Sequence, residues 1–243
     1  MNDALYRKIA RFTDLSSADR ARLDAAPSRI VERRAGEDLI VQGDRPRHVH
    51  LLLRGWACRY KLLPDGGRQI LAYLIPGDLC DVNVFILAHM DHAIGLLSDA
   101  RVALIEADAM RDLLDTRPRI ARALRWATSV DEAVLREWLV NVAQRGPYER
   151  IAHLFCELWL RLDTVGLVHD GRFALPVTQT ELGDTVGLTP VTVNRVLQRL
   201  RADGLITLRD GELAILDLDR LKQVSGFNDT YLHLDRRVPA RSR

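Results

Sequence analysis

The segment "LGDTVGLTPVTVNRVLQRLRADGLI", Leu182–Ile206, has the spacing of two short helices crossing at a glycine turn. A helix pair this tight needs a small residue where the helices cross, a glycine in the turn and apolar contacts at fixed offsets. Leu182 and Gly183, then Val186, Gly187 and Leu188, then Val193 and Val196 meet those demands. Thr189 suits the N-cap of the second helix, and Pro190 its first position, where a missing N–H costs nothing. Gly204 is placed to end it.

Winding the second helix at about 100° per residue gathers Val193, Val196, Leu197 and Leu200 on one side. Val191, Arg195 and Gln198 then point away, flanked by Thr192, Arg199 and, less directly, Asn194. A hairpin that only packs has no use for two arginines and several amide or hydroxyl groups there. Arginine matches guanine O6/N7, amides match base edges and hydroxyls match phosphates, so this face implies double-stranded DNA. Downstream, "LITLRDGELAIL" reads as a two-stranded wing turning at Asp210-Gly211, with Arg209 at its tip in reach of a phosphate.

Upstream, "PRIARALRWATSVDEAVLREWLVNVAQRG" is a long helix opened by Pro118 and closed by Gly146-Pro147. Ile120, Leu124, Ala127, Val134, Trp138 and Val142 recur at helical steps. We read them as the seam of a homodimer, an ordinary core stripe being the alternative. Between Ser28 and Ile105, brief apolar stretches alternate with turn signals such as Pro64-Asp65-Gly66-Gly67 and Pro76-Gly77-Asp78. That rhythm predicts an antiparallel sandwich, barrel or roll, preceded by a short helical lead-in.

The expected fold class is therefore α+β. Residues 1–117 form an antiparallel β-roll of the double-stranded β-helix or jelly-roll type, and 118–146 a dimerisation helix. A winged helix-turn-helix follows at 147–225 and a basic tail at 226–243. The 243 residues are 47% hydrophobic and 28% charged, as in a globular protein; a net charge of +2 does not itself imply a nucleic-acid partner. No apolar run is long enough to cross a bilayer, and no export signal is legible at the N-terminus, so the expected location is the cytoplasm.

Enzymatic and metal readings find little support. Cys58, Cys80 and Cys156 stand singly, which argues against disulfide scaffolding and against a cysteine-ligated zinc or iron–sulfur centre. "HVH" places His48 and His50 on one face of a strand, as in cupin-type metal enzymes. The following "LLLRGWACRY" lacks the carboxylate such a site needs, so a barrel enzyme with a DNA-binding tail is a remote alternative. His89, His92 and His153 are haem candidates only as histidines, and Cys80 or Cys58 is a weak candidate for a redox switch. No catalytic triad or phosphate-cradling glycine loop is legible, and no metal or cofactor is expected.

The chain resembles the Crp/Fnr family of transcription regulators over nearly its whole length, through "AGEDLIVQGD", "PGDLCD", the helix after Pro118, "YERIAHLF" and, above all, Leu182–Ile206. The resemblance implies a cyclic-nucleotide-binding-like roll, a dimerisation helix and a winged helix-turn-helix. It places Arg195 at the family's base-reading arginine, and Thr178, Thr189 and Thr192 at its phosphate contacts, with Thr180 a further candidate contact. It implies RNA polymerase as a partner if the protein is an activator.

Two departures matter. Pro190 and Val191 stand where the best-known members carry an arginine or glutamate, so a different half-site is expected. Members that bind cyclic nucleotides use a Gly-Glu pair after the PGD-like turn and then an Arg-Ser/Thr pair; this chain has "LCDVNVFILAHMDHAIG". Cyclic AMP is therefore not the expected effector, and an unfamiliar small molecule or redox signal remains the alternative. The iron–sulfur branch's N-terminal cysteines are also missing: none precedes Cys58.

Overall fold

A computed structural model describes residues 3–82 and 86–234. Of the tail expected at 226–243, the basic "RRVPARSR" end lies outside the described residues, whereas Asp229–Leu232 form a 3-10 turn with Leu232 buried. The chain divides into two compact units, one containing Met1–Arg59 and Tyr73–Glu132, the other Tyr60–Ala72 and Ala133–Leu232.

The first unit opens with helices α1 (Asp3–Ala10) and α2 (Ser17–Asp24). Ser16 starts α2 through a reciprocal capping box with Asp19. Eight strands follow: β1 (Arg29–Arg33), β2 (Asp38–Ile40), β3 (His48–Arg54), β4 (Ala57–Leu62), β5 (Arg68–Leu74), β6 (Leu79–Cys80), β7 (Ala93–Leu96) and β8 (Ala100–Glu106). They form two four-stranded sheets, ordered β1-β8-β3-β6 and β2-β7-β4-β5. The central strands β3 and β8 pair antiparallel from His48↔Glu106 to Leu52↔Val102.

Alternation along these strands assigns two cores. Leu52, Val102 and Leu104 of the first sheet pack with Ala57, Leu74, Ile94 and Leu96 of the second. On the reverse face, Val49, Leu51, Ala103 and Ile105 pack with Leu5, Ile9 and Leu23 of the two leading helices. Met110 and Leu113 of α3 (Ala107–Thr116) join that second core, as do Ile120 and Leu124 of α4 (Pro118–Gln144). Both faces of "HVHLLLR" and "ARVALIE" are covered, which is why neither shows a clean polar alternation.

Most of the residues of the expected seam on α4 are covered by the chain's own packing. Ile120 and Leu124 are fully buried in the chain's own core, and Val134 and Trp138 are also buried within the chain. Ala127 and Val142 are half-buried. Trp138 donates from Nε1 to both oxygens of Glu157, at 3.1 and 3.0 Å. The apolar side chains that α4 leaves open are instead Leu135 (52% exposed), Leu139 (71%) and Val140 (45%). A helix this long carries two stripes, and the more continuous one serves the chain's interior.

In the second unit, α5 (Pro147–Thr164) is the central helix, with Ile151, Ala152, Leu154, Phe155 and Leu158 buried. It is followed by β9 (Arg172–Ala174), α6 (Gln179–Val186), α7 (Pro190–Ala202), β10 (Ile206–Arg209), β11 (Glu212–Ile215) and α8 (Leu218–Ser225). The fully buried Glu157 accepts from Trp138, from the Tyr231 hydroxyl at 2.9 Å and from Arg161 at 3.2 Å. Burial pushes its carboxyl upward while Arg161 and those hydrogen bonds oppose the shift.

The wing has three strands rather than the two expected, in the order β10-β11-β9. β9 is three residues long, too short for a periodic signal, and pairs with β11 through Phe173↔Leu213. The β10–β11 turn has both central residues left-handed, Asp210 at φ 51 and Gly211 at φ 74, the geometry that suits a tight hairpin. No helix among the described residues is long and apolar enough to cross a membrane.

Candidate nucleic-acid interface

Three features fix the α6–α7 pair. Thr178 caps α6 in a capping box: its hydroxyl accepts from Glu181 N at 3.2 Å, and Glu181 accepts from Thr178 N at 2.8 Å. Gly187 ends α6 in the left-handed region at φ 66, ψ 43. A Cβ at Gly183 would collide with the carbonyl oxygen of Leu188, whose own N–H donates to Gly183 O at 3.1 Å. The turn closes so tightly on α6 that only hydrogen fits there.

Leu182, Val186, Val193, Leu197 and Leu200 are at most 1% exposed, so one side of the pair is locked into the unit. Arg150 of α5 adds a polar brace, donating from Nη1 to Val186 O at 3.0 Å and from Nε to Arg145 O at 2.7 Å. Asp184 on α6 accepts from Arg68 Nε at 2.8 Å, and Gln69 Nε2 donates to Thr185 O at 3.3 Å. The first helix is thereby held from two directions.

The outward side of α7 is open. Val191 is 69% exposed, and Arg195, Gln198 and Arg199 are exposed as well. Thr189 accepts from Thr192 N at 3.3 Å as the N-cap, with the two hydroxyls 3.0 Å apart. Thr192 and Asn194 are half-buried; Asn194 Nδ2 donates to Gln179 Oε1 at 3.2 Å, tying α7 to the start of α6. Thr178, Gln179 and Thr180 lie exposed in and before the first turn of α6, and Arg209 lies exposed on the wing.

The structure thus brings Val191, Thr192, Arg195, Gln198 and Arg199 onto one helix, with Thr178 and Thr180 on its partner and Arg209 on a separate strand. A helix face with exposed arginines, amides and hydroxyls is chemically equipped for base edges and phosphates. Sequence reasoning missed Tyr148 and Asp203. The ring of Tyr148 on α5 lies under the Arg199 guanidinium at 4.5 Å, and its hydroxyl donates to Asp203 Oδ2 at 2.7 Å. Tyr148 opens the quoted "YERIAHLF" stretch but carries no periodic signal of its own.

The roll interior holds a second polar cluster. Asp78 accepts from Lys8 Nζ at 2.7 Å and from Ile75 N at 3.0 Å. Arg59 lies 3.5 Å from Asp81 and 3.7 Å from Asp131. His92 contacts Asp81 at 3.2 Å and Asp91 at 2.8 Å. Burial opposes charge on His92, but its bonds to Asp81 win and raise its pKa; burial likewise opposes ionisation of Asp81, yet His92 and Arg59 bring it below the ordinary range.

His48 and His50 sit on β3 as alternation requires. His48 is bonded to Glu106 at 3.0 Å, and His50 is lowered to about 4 by burial and by His48. No group of three or more His, Cys, Asp or Glu among the described residues is arranged to hold a metal ion. All three cysteines are buried. Burial raises the thiol pKa of Cys80 and pushes Cys156 up to about 12, the reverse of what a reactive thiolate needs.

Comparison with known proteins agrees with this architecture. Residues 30–117 match the cyclic nucleotide-binding domain, and residues 149–224 match the Crp-like helix-turn-helix domain. The chain is 26% identical over 224 residues to the nitrogen fixation regulation protein FixK of Bradyrhizobium diazoefficiens, covering 92% of this chain and 93% of that protein. It is 25% identical over 209 residues to the anaerobic regulatory protein of Haemophilus influenzae, covering 84% and 81%. Among solved structures, FixK2 from Bradyrhizobium japonicum superposes with a TM-score of 0.73 at 24% identity, covering 80% of this chain and 96% of that one. With a cyclic-nucleotide-binding-type roll ahead of a Crp-like helix-turn-helix, the chain belongs to the Crp/Fnr family of DNA-binding transcription regulators, not to an enzyme family.

Proposed function

We propose that the chain works in the cytoplasm as a homodimer on a near-palindromic operator, placing one α7 in each of two successive major grooves. The observation that carries this reading is the two-sidedness of α7. Val193, Leu197 and Leu200 anchor it, while Val191, Arg195 and Gln198 have no role in the chain's own packing. Arg195 reads a guanine, Val191 contacts a thymine methyl, and Thr178, Thr180, Thr189, Thr192 and Arg209 serve the backbone. Asn194 and Gln198 complete the polar face, and Arg199 lies at its flank.

Val191 is the informative departure, so its replacement is the direct test. Selection of duplex DNA from a random pool should give Val191→Glu a consensus altered at one half-site position, with the Arg195-dependent guanine retained. An unchanged consensus would remove the thymine contact from the account.

The dimer contact we assign is the open stripe of α4, Leu135, Leu139 and Val140. It differs from the stripe expected from the sequence, in which Ile120, Leu124, Val134 and Trp138 are buried within the chain. RNA polymerase is a further partner if the protein activates.

Gating by cyclic AMP is not part of this reading. Where the resemblance places a phosphate-binding arginine, the chain has Asp91 and His92, and His92 is committed to Asp81 and Asp91. Arg59, a deeply buried guanidinium nearby, already faces Asp81 and Asp131. A nucleotide phosphate would meet the Asp81 and Asp131 carboxylates that flank this guanidinium, although its buried Nε makes no hydrogen bond. Operator affinity should be the same with and without millimolar cyclic AMP; a tenfold gain on adding it would contradict this.

A different effector has one observation in its favour. A cavity of about 420 Å³ is lined by Leu114, Ala121, Arg125, Thr128 and Glu132 among others. If it takes a small molecule, purified protein should gain operator affinity when a small-molecule cell extract is added, whereas an ungated regulator should not respond.

A further inference from the structure

Arg199 differs from Arg195 in what surrounds it. Its guanidinium lies over the ring of Tyr148 at 4.5 Å, within the range of a cation–π contact. Its side chain is nevertheless 70% exposed, so stacking leaves its N–H edges open. Asp203, one turn further along α7, would be the natural ion-pair partner, but Arg199 Nε is 3.9 Å from Oδ2, at the limit of a salt bridge. That same oxygen accepts the Tyr148 hydroxyl at 2.7 Å. One tyrosine therefore does two things: its ring seats the guanidinium, and its hydroxyl engages the carboxylate that would otherwise pair with it. The phenol is also held as the proton donor, because burial and the bond to Asp203 push its pKa up to about 12.

On the helix, Arg199 is one turn beyond Arg195 and displaced toward the edge of the polar face, where phosphates rather than bases pass. We propose that Tyr148 is a positioning residue of the DNA interface, seating Arg199 as a phosphate clamp and keeping Asp203 from neutralising it. This rests on the DNA-reading role of α7 proposed above. Arginine suits the task because its flat guanidinium can stack on a ring and still donate from its edge, which a lysine ammonium cannot do.

The test is operator affinity at several salt concentrations for the full-length wild type, Arg199→Ala, Arg199→Lys, Tyr148→Ala, Tyr148→Phe and the double variant Tyr148→Ala with Arg199→Ala. Arg199→Ala should weaken binding to all duplex sequences alike and lower the salt slope by about 1. Tyr148→Ala should weaken binding about two- to fivefold, in proportion to an exposed cation–π contact, with no change in consensus. In the Arg199→Ala background the same tyrosine change should have no further effect. Tyr148→Phe keeps the ring but frees Asp203, so it should weaken binding by less than Tyr148→Ala and, like it, have no further effect without Arg199; it also guards against a folding defect in Tyr148→Ala.

Equal losses from Tyr148→Ala with and without Arg199 would overturn the proposal, as would a consensus that changes at one base. A wild type that selects no operator at all would instead refute the DNA-reading role on which the proposal stands.

Discussion

Leu139→Glu should leave a folded monomer that has lost specific operator binding by about 100-fold or more. Leu139 is 71% exposed and Leu135 is 52% exposed, so neither contributes much to the chain's own core. The substitution therefore should not disturb the thermal melt of an isolated chain. In a dimer the same side chain is covered, and a pair of carboxylates brought together there repels and must be desolvated. Two linked readers bind with the product of local affinity and effective concentration, an advantage of about 10²–10⁴ that a monomer forfeits. Sedimentation at micromolar concentration should show a dimer for the wild type and a monomer for Leu139→Glu. A variant that stays dimeric and keeps its operator would move the dimer contact away from this stripe.

The second large effect is expected at Gly183. A methyl group there must displace the Leu188 carbonyl, which belongs to the turn that also bonds back to Gly183. Overpacking against backbone cannot be relieved by a rotamer change, so Gly183→Ala should destabilise the second unit by about 3 kcal/mol or more. Gly204 provides the contrast. It is left-handed, at φ +69, and nothing lies within 4 Å of its missing Cβ. Gly204→Ala should cost only conformational strain, about 1 kcal/mol. Urea unfolding followed by circular dichroism separates the two. Equal midpoints for both variants would show that the close approach at Gly183 does not govern the fold.

The helix pair was the most legible part of the sequence because its constraints are local. Thr189, Pro190, Gly187 and Gly204 each announce a cap or a stop, and the structure places each where that chemistry works. The roll was legible through its turns, such as Gly66-Gly67 and Gly77, rather than through strand alternation. In β3 and β8, packing on both faces erased the period of two.

What stayed hidden depended on contacts remote in sequence. β9 has meaning only beside β11, and α8, capped by Asp217 and stopped by Gly226, was passed over in a run of mixed charge. The α4 stripe shows the same limit from the other side. Periodicity found apolar residues at the right steps but could not say whose surface would cover them. Ile120, Leu124 and Trp138 were taken by the chain itself, leaving the shorter Leu135–Leu139 pair open. Tyr148 was invisible for a similar reason: it acquires a role only once α5 packs beside α7 and brings its ring under Arg199.

The central claim is that the outward face of α7 reads sequence. The most direct measurement is selection and sequencing of duplex DNA by the purified full-length protein, run in parallel with Arg195→Ala. The expected result is an inverted repeat whose half-site centres lie about one helical turn apart, with one guanine per half-site lost in the variant and affinity reduced by roughly 1–3 kcal/mol. An absence of enrichment, or a consensus that Arg195→Ala leaves untouched, would contradict it.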